Sequence, residues 1–332
     1  MKVAVVGATG LVGSVIIKVL EAGRYLPLPA ITSFIPVASA ASVGKKVAFN
    51  GKEYKVVNLD QAVNQKPDVA IFSAGSHTSE KWAPLFADAG TVVIDNSSAW
   101  RMHTDVPLVV PEINAHSIKP ETRIIANPNC STIQLALVVA PLHRYNRIKR
   151  MVISTYQAVT GSGIRGVKQL DNERKGLAAE MAYPHHIDLN LIPQGGDFLD
   201  NDYTAEEMKL VNETRKILES QCLQITSTVV RVPVYGGHSM AVNIEFFKDY
   251  DIGEIRNIIK NTTGVVVMDN PADSVYPMPL LAEGKDEVFV GRIRRDISGP
   301  RSLDLWIVTD NLRKGAATNT VQIAACLHQI KK

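Results

Sequence analysis

The first half of the chain alternates short apolar runs with amphipathic stretches. The run Lys2–Val6 is apolar and ends at a glycine, which is typical of a buried parallel strand. Apolar residues from Val12 to Leu20 then follow the spacing of one helix face, and this helix is predicted to end near Gly23. Strands that alternate with helices predict a parallel sheet in an α/β domain. Further buried strands are predicted at Val69–Phe72, Val92–Ile94 and Arg123–Ala126.

The pattern changes after about residue 150, where the candidate strands become longer. Polar residues alternate with apolar ones in several of them, as in an antiparallel sheet with one covered face. This half therefore predicts a second, α+β domain. Its strands are predicted at Met151–Gln157, Ile225–Val234, Met240–Phe247, Val288–Arg294 and Leu303–Val308. Its helices are predicted at Ile164–Lys175, Ala205–Leu218 and Gly253–Lys260, and a last helix at Ala316–Gln329.

A glycine-rich turn, Gly7–Gly13, joins the first predicted strand to the first predicted helix. Glycines let the backbone turn tightly and approach a pyrophosphate, and a helix N-terminus offers N–H donors to it. The spacing is G-x-x-G-x-x-G, a variant of the commoner G-x-G-x-x-G. Because the turn lies between a strand and a helix, the pattern favours a dinucleotide site over a glycine-rich turn without a ligand.

The segment after this turn indicates which dinucleotide binds. NAD-binding proteins usually have an acidic residue about 20 residues beyond the turn, which holds the ribose hydroxyls. No acidic residue lies between Glu21 and Glu53 in this chain. Ser39, Ser42 and the pair Lys45–Lys46 could instead face a 2′-phosphate. The sequence therefore favours NADP.

Cys130 is the candidate nucleophile, within the segment Asn127–Thr132, Asn-Pro-Asn-Cys-Ser-Thr. The apolar stretch Ile133–Leu142 predicts a buried helix, and Pro128 disfavours helix before it, so the helix begins at or just after Cys130. The dipole at a helix N-terminus stabilises a thiolate. We therefore expect the pKa of this thiol to be lowered and its reactivity raised.

A cysteine nucleophile needs a base, and His238 is the best-placed candidate. It lies in Arg231–Ser239, Arg-Val-Pro-Val-Tyr-Gly-Gly-His-Ser, where a strand runs into a glycine-rich turn at a sheet edge. The pair His185–His186 lies in a polar loop, and His143 and His328 have the pattern of surface helix residues. These other positions are less suited to catalysis.

Composition limits the remaining classes of function. The chain has 332 residues, which suggests two domains, and its net charge of +3 is too small to indicate nucleic acid or an anionic membrane as partner. No run of about 18 apolar residues predicts a membrane span. Cys222 and Cys326 are interpreted as small apolar residues, and no cysteine spacing predicts a disulfide framework or a metal site. A reducing, cytoplasmic location is expected.

Four segments together resemble the aspartate-semialdehyde dehydrogenase family. They are the turn Gly7–Gly13, the nucleophile segment Asn127–Thr132, the histidine segment Arg231–Ser239, and Ser154–Gln157, Ser-Thr-Tyr-Gln. The resemblance extends over essentially the whole chain. It implies a Rossmann-type parallel-sheet domain formed by residues 1–128 with 313–332. It also implies a second, α+β catalytic and dimerisation domain at residues 129–312, and hence a homodimer.

The resemblance implies a reaction as well. The family reduces L-aspartyl-4-phosphate with NADPH to L-aspartate 4-semialdehyde and phosphate, in the biosynthesis of lysine, threonine, methionine and diaminopimelate. Cys130 would attack the acyl phosphate and form a thioester, His238 would be the acid/base residue, and Gln157 would orient the substrate. A thioester suits this chemistry, because it accepts hydride well and survives long enough to be reduced.

Anion-binding side chains are also implied by the resemblance. Arg231 would clamp the substrate carboxylate, since a planar guanidinium forms two parallel hydrogen bonds to such a group. Glu206 would bind the substrate ammonium, and Arg101, Asn129 and Lys209 would bind phosphate. Without the resemblance, Glu206 and Lys209 would be interpreted as a solvated ion pair on one helix face.

The cofactor contacts implied by the resemblance include one departure from the family pattern. Where the family usually has Arg-Ser in the loop after the second strand, this chain has Ala41 followed by Ser42. NAD is therefore kept as an alternative cofactor to NADP. The implied contacts are Gly7, Thr9, Gly10, Leu11, Val12, Gly13, Ala41, Ser42, Thr160, Gly161 and Gln322.

Two other functions are weighed against this one. N-acetyl-gamma-glutamyl-phosphate reductase uses similar architecture and thioester chemistry, but its nucleophile motif is Gly-Cys-Tyr-Pro-Thr-like, and this chain has Asn-Cys-Ser-Thr. A non-catalytic, dinucleotide-sensing protein would be expected to lack at least one of four residues. Those four, all present here, are Cys130, Gln157, Arg231 and His238.

Overall fold

The computed structural model of the chain describes residues 1–330. Two compact units can be separated. The first comprises Met1–Asn129 together with the chain from Ala316 onward, and the second comprises Cys130–Gly315. No helix among residues 1–330 is long and apolar enough to cross a membrane.

The first unit contains a parallel sheet of five strands with helices between them. Its elements are β1 (Lys2–Val6), α1 (Leu11–Ala22), β2 (Ser33–Val37), β3 (Lys46–Phe49), β4 (Lys52–Lys55), α2 (Leu59–Asn64), β5 (Val69–Phe72), α3 (Ser76–Asp88), β6 (Val92–Asp95), α4 (Pro111–Asn114) and β7 (Ile124–Ala126).

The strand order in this sheet is β2-β1-β5-β6-β7, and every neighbouring pair is parallel. The predicted Rossmann-type α/β domain is therefore confirmed. The chain leaves β1 toward β2 on one side and later adds β5 on the other side, so the strand order reverses at β1. Ligands of such sheets bind outside the carboxyl ends of the strands at this reversal. The glycine-rich turn Gly7–Gly13 follows β1 directly.

Local sequence explains these elements well. β1 is buried along nearly its whole length, as a central parallel strand requires. The helix α1 ends where Gly23 adopts a left-handed conformation with a φ of 64°, and its N–H donates to the carbonyl of Leu20. The predicted end near Gly23 is confirmed.

The second unit is built around a mixed sheet of six strands. Its elements are α5 (Cys130–Tyr145), β8 (Ile148–Gln157), α6 (Gly163–Arg174), α7 (Ala205–Ile217), β9 (Gln224–Arg231), β10 (His238–Phe246), α8 (Ile252–Lys260), β11 (Val265–Val267), α9 (Pro279–Ala282), β12 (Val288–Arg295) and β13 (Ser302–Thr309). A π-helical turn, Arg313–Ala317, follows, and α10 (Thr318–Ile330), which belongs to the first unit, is the last helix among residues 1–330.

The prediction of an antiparallel sheet in this unit is wrong for two strand pairs. The order is β11-β12-β13-β10-β8-β9, and both β8 with β9 and β11 with β12 run parallel. A long connection through α6 and α7 returns the chain to the start of the sheet before β9, which makes a parallel pair possible. Alternation of polar and apolar residues reports a covered face and carries no information about strand direction.

Several predicted element bounds differ from the structure by a few residues. Two of these differences concern the strand before His238 and the last helix. The strand predicted to reach Val234 ends at Arg231, because Pro233 has no N–H to donate to a ladder. The last helix, predicted from Ala316, begins as an α-helix only at Thr318, after the π-helical turn.

The two faces of the mixed sheet differ. The helices α5, α7 and α8 pack on one face. The opposite face carries half-buried side chains that alternate with buried ones along β8, β10 and β13. A groove of about 520 Å³ lies on this side. We call this side of the sheet the open sheet face and define it by five residues that line the groove: Val152, Ser154, Ala241, Asn243 and Trp306.

Candidate functional site

In the first unit, the turn after β1 is shaped by glycines that cannot carry side chains. Gly7 has a φ of 87°, and a Cβ there would lie 2.2 Å from the carbonyl oxygen of Ser73. A Cβ on Gly13 would lie 2.1 Å from the carbonyl oxygen of Gly7, so the helix packs directly against the turn. α1 begins at Leu11 without an acidic residue in its first turn. These features fit a pyrophosphate at the N-terminus of α1.

The loop after β2 carries few charges that could select a nucleotide. Ala41 is exposed and lies in a short 3-10 turn, Ala40–Ser42, so no guanidinium is present at this position. The ammonium of Lys46 lies 2.5 Å from the carboxylate of Glu53. Lys45 is exposed, and its side chain forms no ion pair within residues 1–330. Lys45 is thus a cation of this loop that is available to a ligand.

Arg101, also in the first unit, is held in place by backbone carbonyls at the ends of β6 and β7. Its Nε donates to the carbonyl of Asn127 at 2.9 Å and its Nη2 to that of Asn96 at 2.8 Å. The side chain of Asn127 donates to Asn96 Oδ1 at 3.0 Å and accepts from Asn319 Nδ2 at 2.7 Å. Asn96 and Asn319 were not predicted from the sequence. Asn129, the other predicted phosphate contact in this unit, is buried.

In the second unit, Cys130 is the first residue of α5, as predicted. Its thiol is partly buried, and no disulfide joins cysteines within residues 1–330. A Cβ on Gly315 would lie 3.0 Å from the Cβ of Cys130, so a glycine is needed there to leave room for the nucleophile. Gln157 Nε2 donates to Ser131 Oγ at 2.9 Å, which ties the end of β8 to the start of α5.

Three strands bring the other predicted residues to one edge of the sheet. Gln157 ends β8 and Arg231 ends β9, and the two are neighbours in the parallel ladder. β10 runs in the opposite direction, so its first residue, His238, lies at the same edge. All three side chains are buried. The fold thus brings together residues that are far apart in the chain: the backbone N–H of Ala158, which follows Gln157, donates to Nδ1 of His238, 80 positions further along.

His238 is electrically neutral in this environment. Its ring is fully buried, and the backbone N–H of Ala158 donates to its Nδ1 at 3.1 Å. Burial is the largest cause that lowers the pKa of His238, the positive charge of Arg231 lowers it as well, and the carboxylate of Glu206 opposes both, so that the pKa falls from 6.5 to about 3. The Nε2 atom has no hydrogen-bond partner among residues 1–330.

The guanidinium of Arg231 is buried without a counter-ion. The residue is 8% exposed, and its side chain forms no hydrogen bond or ion pair within residues 1–330. A Cβ on Gly161 would lie 2.9 Å from both Arg231 Nη1 and His238 Nε2, so a glycine is needed to keep this space open. Burying a charge without a partner is unfavourable, and sites of this kind are commonly completed by a ligand of opposite charge. The geometry fits a small anion.

Glu206 and Lys209 form an ion pair on α7 with 3.0 Å between Lys209 Nζ and Glu206 Oε2. Glu206 is 8% exposed, and a Cβ on Gly195 would lie 2.7 Å from its Cβ. The pair is therefore packed on one side, and the interpretation as a fully solvated pair does not hold. The carboxylate acts electrostatically on His238, which associates α7 with the same edge of the sheet.

Sequence reasoning missed two further polar residues of this unit. Asn311 Nδ2 donates to Thr160 Oγ1 at 3.1 Å, and Asn311 Oδ1 accepts from the N–H of Gly237 at 3.3 Å. Asn311 thus joins the Thr160–Gly161 loop to the turn before His238. The hydroxyl of Tyr183 is buried, and burial raises its pKa. The only sequence signal for Asn311 is its position shortly after the end of a predicted strand. No pattern in the sequence indicates that Tyr183 is part of the site.

Two observations concern predictions outside this cluster. Gln322, on α10 in the first unit, donates to Glu112 Oε1 at 2.8 Å. Among residues 1–330, no three histidine, cysteine, aspartate or glutamate side chains are grouped so that they could hold a metal ion.

Comparison with known proteins identifies the family. The description "Semialdehyde dehydrogenase, NAD binding domain" matches residues 2–120, and "Semialdehyde dehydrogenase, dimerisation domain" matches residues 139–314. An aspartate-semialdehyde dehydrogenase of Aquifex aeolicus is 48% identical over 98% of this chain and 97% of its own length, and that of Bacillus subtilis is 42% identical over 99% and 98%.

A solved structure gives the same result. Aspartate semialdehyde dehydrogenase II of Vibrio cholerae, complexed with ASA, is 42% identical, with a TM-score of 0.93 over 99% of this chain and 98% of its own. These matches favour neither of the two alternative functions. The chain belongs to the aspartate-semialdehyde dehydrogenase family of oxidoreductases.

Proposed function

We propose that the chain reduces L-aspartyl-4-phosphate to L-aspartate 4-semialdehyde with NADPH, through a thioester on Cys130. The observation that best supports this substrate is the buried guanidinium of Arg231, which has no counter-ion among residues 1–330. It lies beside His238 at the sheet edge where Gln157 reaches the start of the Cys130 helix. A substrate with a carboxylate near its reacting carbonyl would complete this charge.

The proposed reaction begins at the Cys130 thiolate, which the N-terminus of α5 favours. The sulfur attacks the acyl carbon, the carbon–oxygen bond to phosphate breaks, and the acyl group stays on Cys130 as a thioester. NADPH, when bound, supplies the hydride that reduces this thioester. The carbon–sulfur bond then breaks, which releases the aldehyde and restores the thiolate. His238 is proposed to face the negative charge that develops on the acyl oxygen.

Substrate-binding roles are proposed residue by residue. In the second unit, Arg231 binds the carboxylate, Glu206 binds the ammonium, and Lys209 binds phosphate while paired with Glu206. In the first unit, Arg101 and Asn129 are the proposed phosphate contacts. The two carbonyls that fix the guanidinium of Arg101 support this, because they hold the planar group rigidly. Gln157, anchored on Ser131, is proposed to orient the acyl group.

NADP is the proposed cofactor, with NAD accepted more weakly. The turn Gly7–Gly13 would hold the pyrophosphate, and Ser42 and Lys45 would face the 2′-phosphate in place of the arginine that Ala41 replaces. The residues Thr160, Gly161 and Gln322 are also proposed to contact the cofactor. We also propose that the first unit binds the dinucleotide and that the second unit carries out catalysis and forms the dimer. Because the mechanism needs a thiolate, we propose a cytoplasmic location.

An assay with two cofactors tests this function. With L-aspartate 4-semialdehyde, reduction of NADP should depend on added phosphate and exceed reduction of NAD. The measurement is the rate of formation of reduced cofactor. Substitution of Ala41 by arginine should raise the preference for NADP by about tenfold, because a guanidinium adds a charge-assisted hydrogen bond to the 2′-phosphate.

Two outcomes of the same assay would contradict the proposed function. Reduction that proceeds equally without phosphate would refute acyl transfer to phosphate. No reaction with L-aspartate 4-semialdehyde, together with reaction of N-acetylglutamate semialdehyde, would assign the longer substrate instead. A variant with alanine in place of Lys52, an exposed lysine of the neighbouring hairpin, is the matched control and should leave the cofactor preference unchanged.

We propose that the second unit forms a homodimer through the open sheet face. Ala241 lies at the centre of this face, between Ser154 and Trp306 in the strand register. Half-buried apolar and small polar side chains on a flat sheet are suited to packing against a second copy with two-fold symmetry. The match to a dimerisation domain over residues 139–314 supports this proposal.

Substitution of Ala241 by arginine should produce a monomer. The new charge would be buried against the partner without a counter-ion, which opposes association. The measurement is molar mass by light scattering after size-exclusion chromatography. Leu85 on α3 is 45% exposed, and its substitution by arginine is the control that should leave the mass unchanged. A dimeric Ala241→Arg protein would place the interface elsewhere.

A further inference from the structure

The first turn of α10, in the first unit, is polar and fully buried. Thr318, Asn319 and Thr320 begin this helix, and all three are 0% exposed. Asparagine and threonine are weak helix formers, and burial of a polar side chain is unfavourable unless its hydrogen bonds are made. Asn319 makes them with Nδ2, which donates to the carbonyl oxygen of Val109 at 2.9 Å and to Asn127 Oδ1 at 2.7 Å.

The hydrogen bonds of Asn319 continue as a row of amides across the carboxyl ends of three strands. Asn127 directly follows β7, and its Nδ2 donates to Asn96 Oδ1 at 3.0 Å. Asn96 directly follows β6, and its Nδ2 donates at 3.0 Å to the carbonyl oxygen of Phe72, the last residue of β5. The hydroxyl of Thr320 also donates to Asn96 Oδ1, at 2.8 Å. We call the side chains of Asn319, Asn127 and Asn96 the amide chain.

The amide chain can be donated in one direction only. It ends on two backbone carbonyls, those of Val109 and Phe72, and a carbonyl oxygen can only accept. Each carbonyl therefore requires the nitrogen of the amide beside it. An inverted amide at Asn127 would place two donors together on one side and two acceptors together on the other, which is unfavourable in a buried site. Asn319 thus uses two donors, whereas Asn127 uses one donor and one acceptor.

The amide chain joins the two residues that hold Arg101. The backbone carbonyl of Asn127 accepts from Arg101 Nε at 2.9 Å, and that of Asn96 accepts from Arg101 Nη2 at 2.8 Å. Because the side chains of these two asparagines are hydrogen-bonded to each other, their carbonyls keep a fixed separation. Two fixed acceptors determine the plane of a guanidinium, and an anion site depends on donors that are held in place before the anion binds.

We propose that Asn319 is a positioning residue for phosphate binding, and that it acts through the amide chain on the two carbonyls that orient Arg101. This inference rests on the proposed function of Arg101 as a phosphate contact. It gives the buried polar start of α10 a role in the reaction, although Asn319 itself need not touch the phosphate. It also predicts that the direction of the chain matters, because each asparagine uses a different set of donors and acceptors.

Replacement of the Asn319 amide by a carboxylate of the same shape tests the role of this residue. In Asn319→Asp, a carboxylate oxygen would face the carbonyl oxygen of Val109, and the amide chain would lose its first donors. We expect the KM for phosphate to rise by about tenfold, and the KM values for L-aspartate 4-semialdehyde and NADP to change by less than about twofold. The measurement is the initial rate of NADPH formation with each substrate varied in turn.

A control variant separates positioning from stability. Gln329 is exposed on the same helix, so Gln329→Glu makes the same chemical exchange without touching the amide chain and should leave every KM unchanged. If the amide chain only stabilised the fold, Asn319→Asp would lower the melting temperature and the amount of active enzyme, with the KM for phosphate unchanged. That result would overturn the proposal.

The substitution Asn127→Asp tests the direction of the chain by its pH dependence. A neutral carboxyl has one donor and one acceptor, which is the set that Asn127 uses, but it cannot supply the two donors of Asn319. Burial raises the pKa of a carboxyl, as it does for Asp95 at the end of β6, where the charge of Arg101 opposes the shift. The carboxyl at position 127 is therefore neutral toward acid pH, where the chain should be restored.

The expected results differ between the two variants. Relative to the wild type at the same pH, the KM for phosphate of Asn127→Asp should approach one as the pH is lowered from about 9 to about 6. In Asn319→Asp the ratio should stay raised over this range. A ratio for Asn127→Asp that does not depend on pH would overturn the proposed chain. This second variant decides the question even if Asn319→Asp does not fold.

Nitrogen NMR tests the positioning of Arg101 without turnover. In protein labelled with ¹⁵N at arginine, the Nε–H signal of Arg101 is assigned by its loss in Arg101→Lys. Because this N–H donates to the carbonyl of Asn127, its exchange with water should be slow in the wild type and about tenfold faster in Asn319→Asp. Unchanged exchange would overturn the proposal. Faster exchange with an unchanged KM for phosphate would instead refute Arg101 as the phosphate contact, so a failure of the proposed function is distinguishable from a failure of the amide chain.

Discussion

Substitution of Cys130 by alanine is expected to lower kcat by about 10⁴-fold or more, because no other side chain can carry the acyl group. Cys130 is the first residue of α5, and the side chain of Gln157 donates a hydrogen bond to the adjacent Ser131. This hydrogen bond holds the start of the helix, and with it the nucleophile, against the end of β8. The measurement is steady-state turnover with L-aspartate 4-semialdehyde, phosphate and NADP. Incubation with substrate should also fail to add an acyl group to the variant by mass spectrometry.

Controls separate this chemical loss from a structural one. The dinucleotide contacts proposed for the turn Gly7–Gly13 belong to the first unit, so NADPH binding by the Cys130→Ala variant should be unchanged. Cys222 is exposed, and its substitution by alanine should leave turnover unchanged. Substantial turnover by Cys130→Ala would refute the thioester mechanism. Loss of both NADPH binding and turnover in this variant would indicate that it is misfolded.

Much of the fold could be predicted because strong patterns are local. The strands Lys2–Val6 and Val69–Phe72 were predicted with the bounds that the structure has, since a central parallel strand is a short run of apolar residues between polar ones. Helix ends were predicted where glycine supplies a left-handed residue, as at Gly23. These features depend on a few neighbouring residues, and single-sequence reasoning can find them.

Features that depend on distant partners were missed or wrong. The parallel pairing of β8 with β9 depends on how α6 and α7 return the chain, which no alternation of residues reveals. The hairpin of β3 and β4 is a different case, because its signal was present. Asn50 and Gly51 both have positive φ, of 49° and 70°, as an Asn-Gly hairpin turn requires. The turn was not recognised because the strands beside it are mostly exposed and charged, and they lack the apolar pattern by which strands were predicted.

The site shows the same division. Motifs identified Cys130 and His238 as candidates, because a helix start and a glycine-rich turn are visible in sequence. The state of each group was not visible. The hydrogen bond from the backbone N–H of Ala158 to Nδ1 of His238, and the lack of a counter-ion for the buried guanidinium of Arg231 within residues 1–330, became visible only in the structure. Both depend on packing across strands that are far apart in the chain.

Substitution of Arg231 by lysine is expected to lower kcat/KM by about 10²- to 10³-fold, mainly through a higher KM for L-aspartate 4-semialdehyde. The guanidinium offers a planar pair of donors to a carboxylate, and a lysine ammonium is a single point charge on a more flexible stem. Because the site is buried, a carboxylate that makes only one of the two hydrogen bonds loses its contacts with water, and the remaining bond offsets only part of this free-energy cost. The KM for phosphate should change far less, which the same kinetic series measures.

A stability measurement separates binding from structure at this position. A buried charge without a partner destabilises the free enzyme, so substitution of Arg231 by methionine should raise the free energy of unfolding by about 1 kcal/mol or more while abolishing substrate binding. Denaturant unfolding checks the first effect and calorimetric titration the second. Arg165 is exposed and paired with Glu180, so Arg165→Lys is the matched control and should change neither. Near-wild-type kcat/KM in Arg231→Lys, or marked destabilisation in Arg231→Met, would mean that Arg231 holds the fold together and that the substrate carboxylate binds elsewhere.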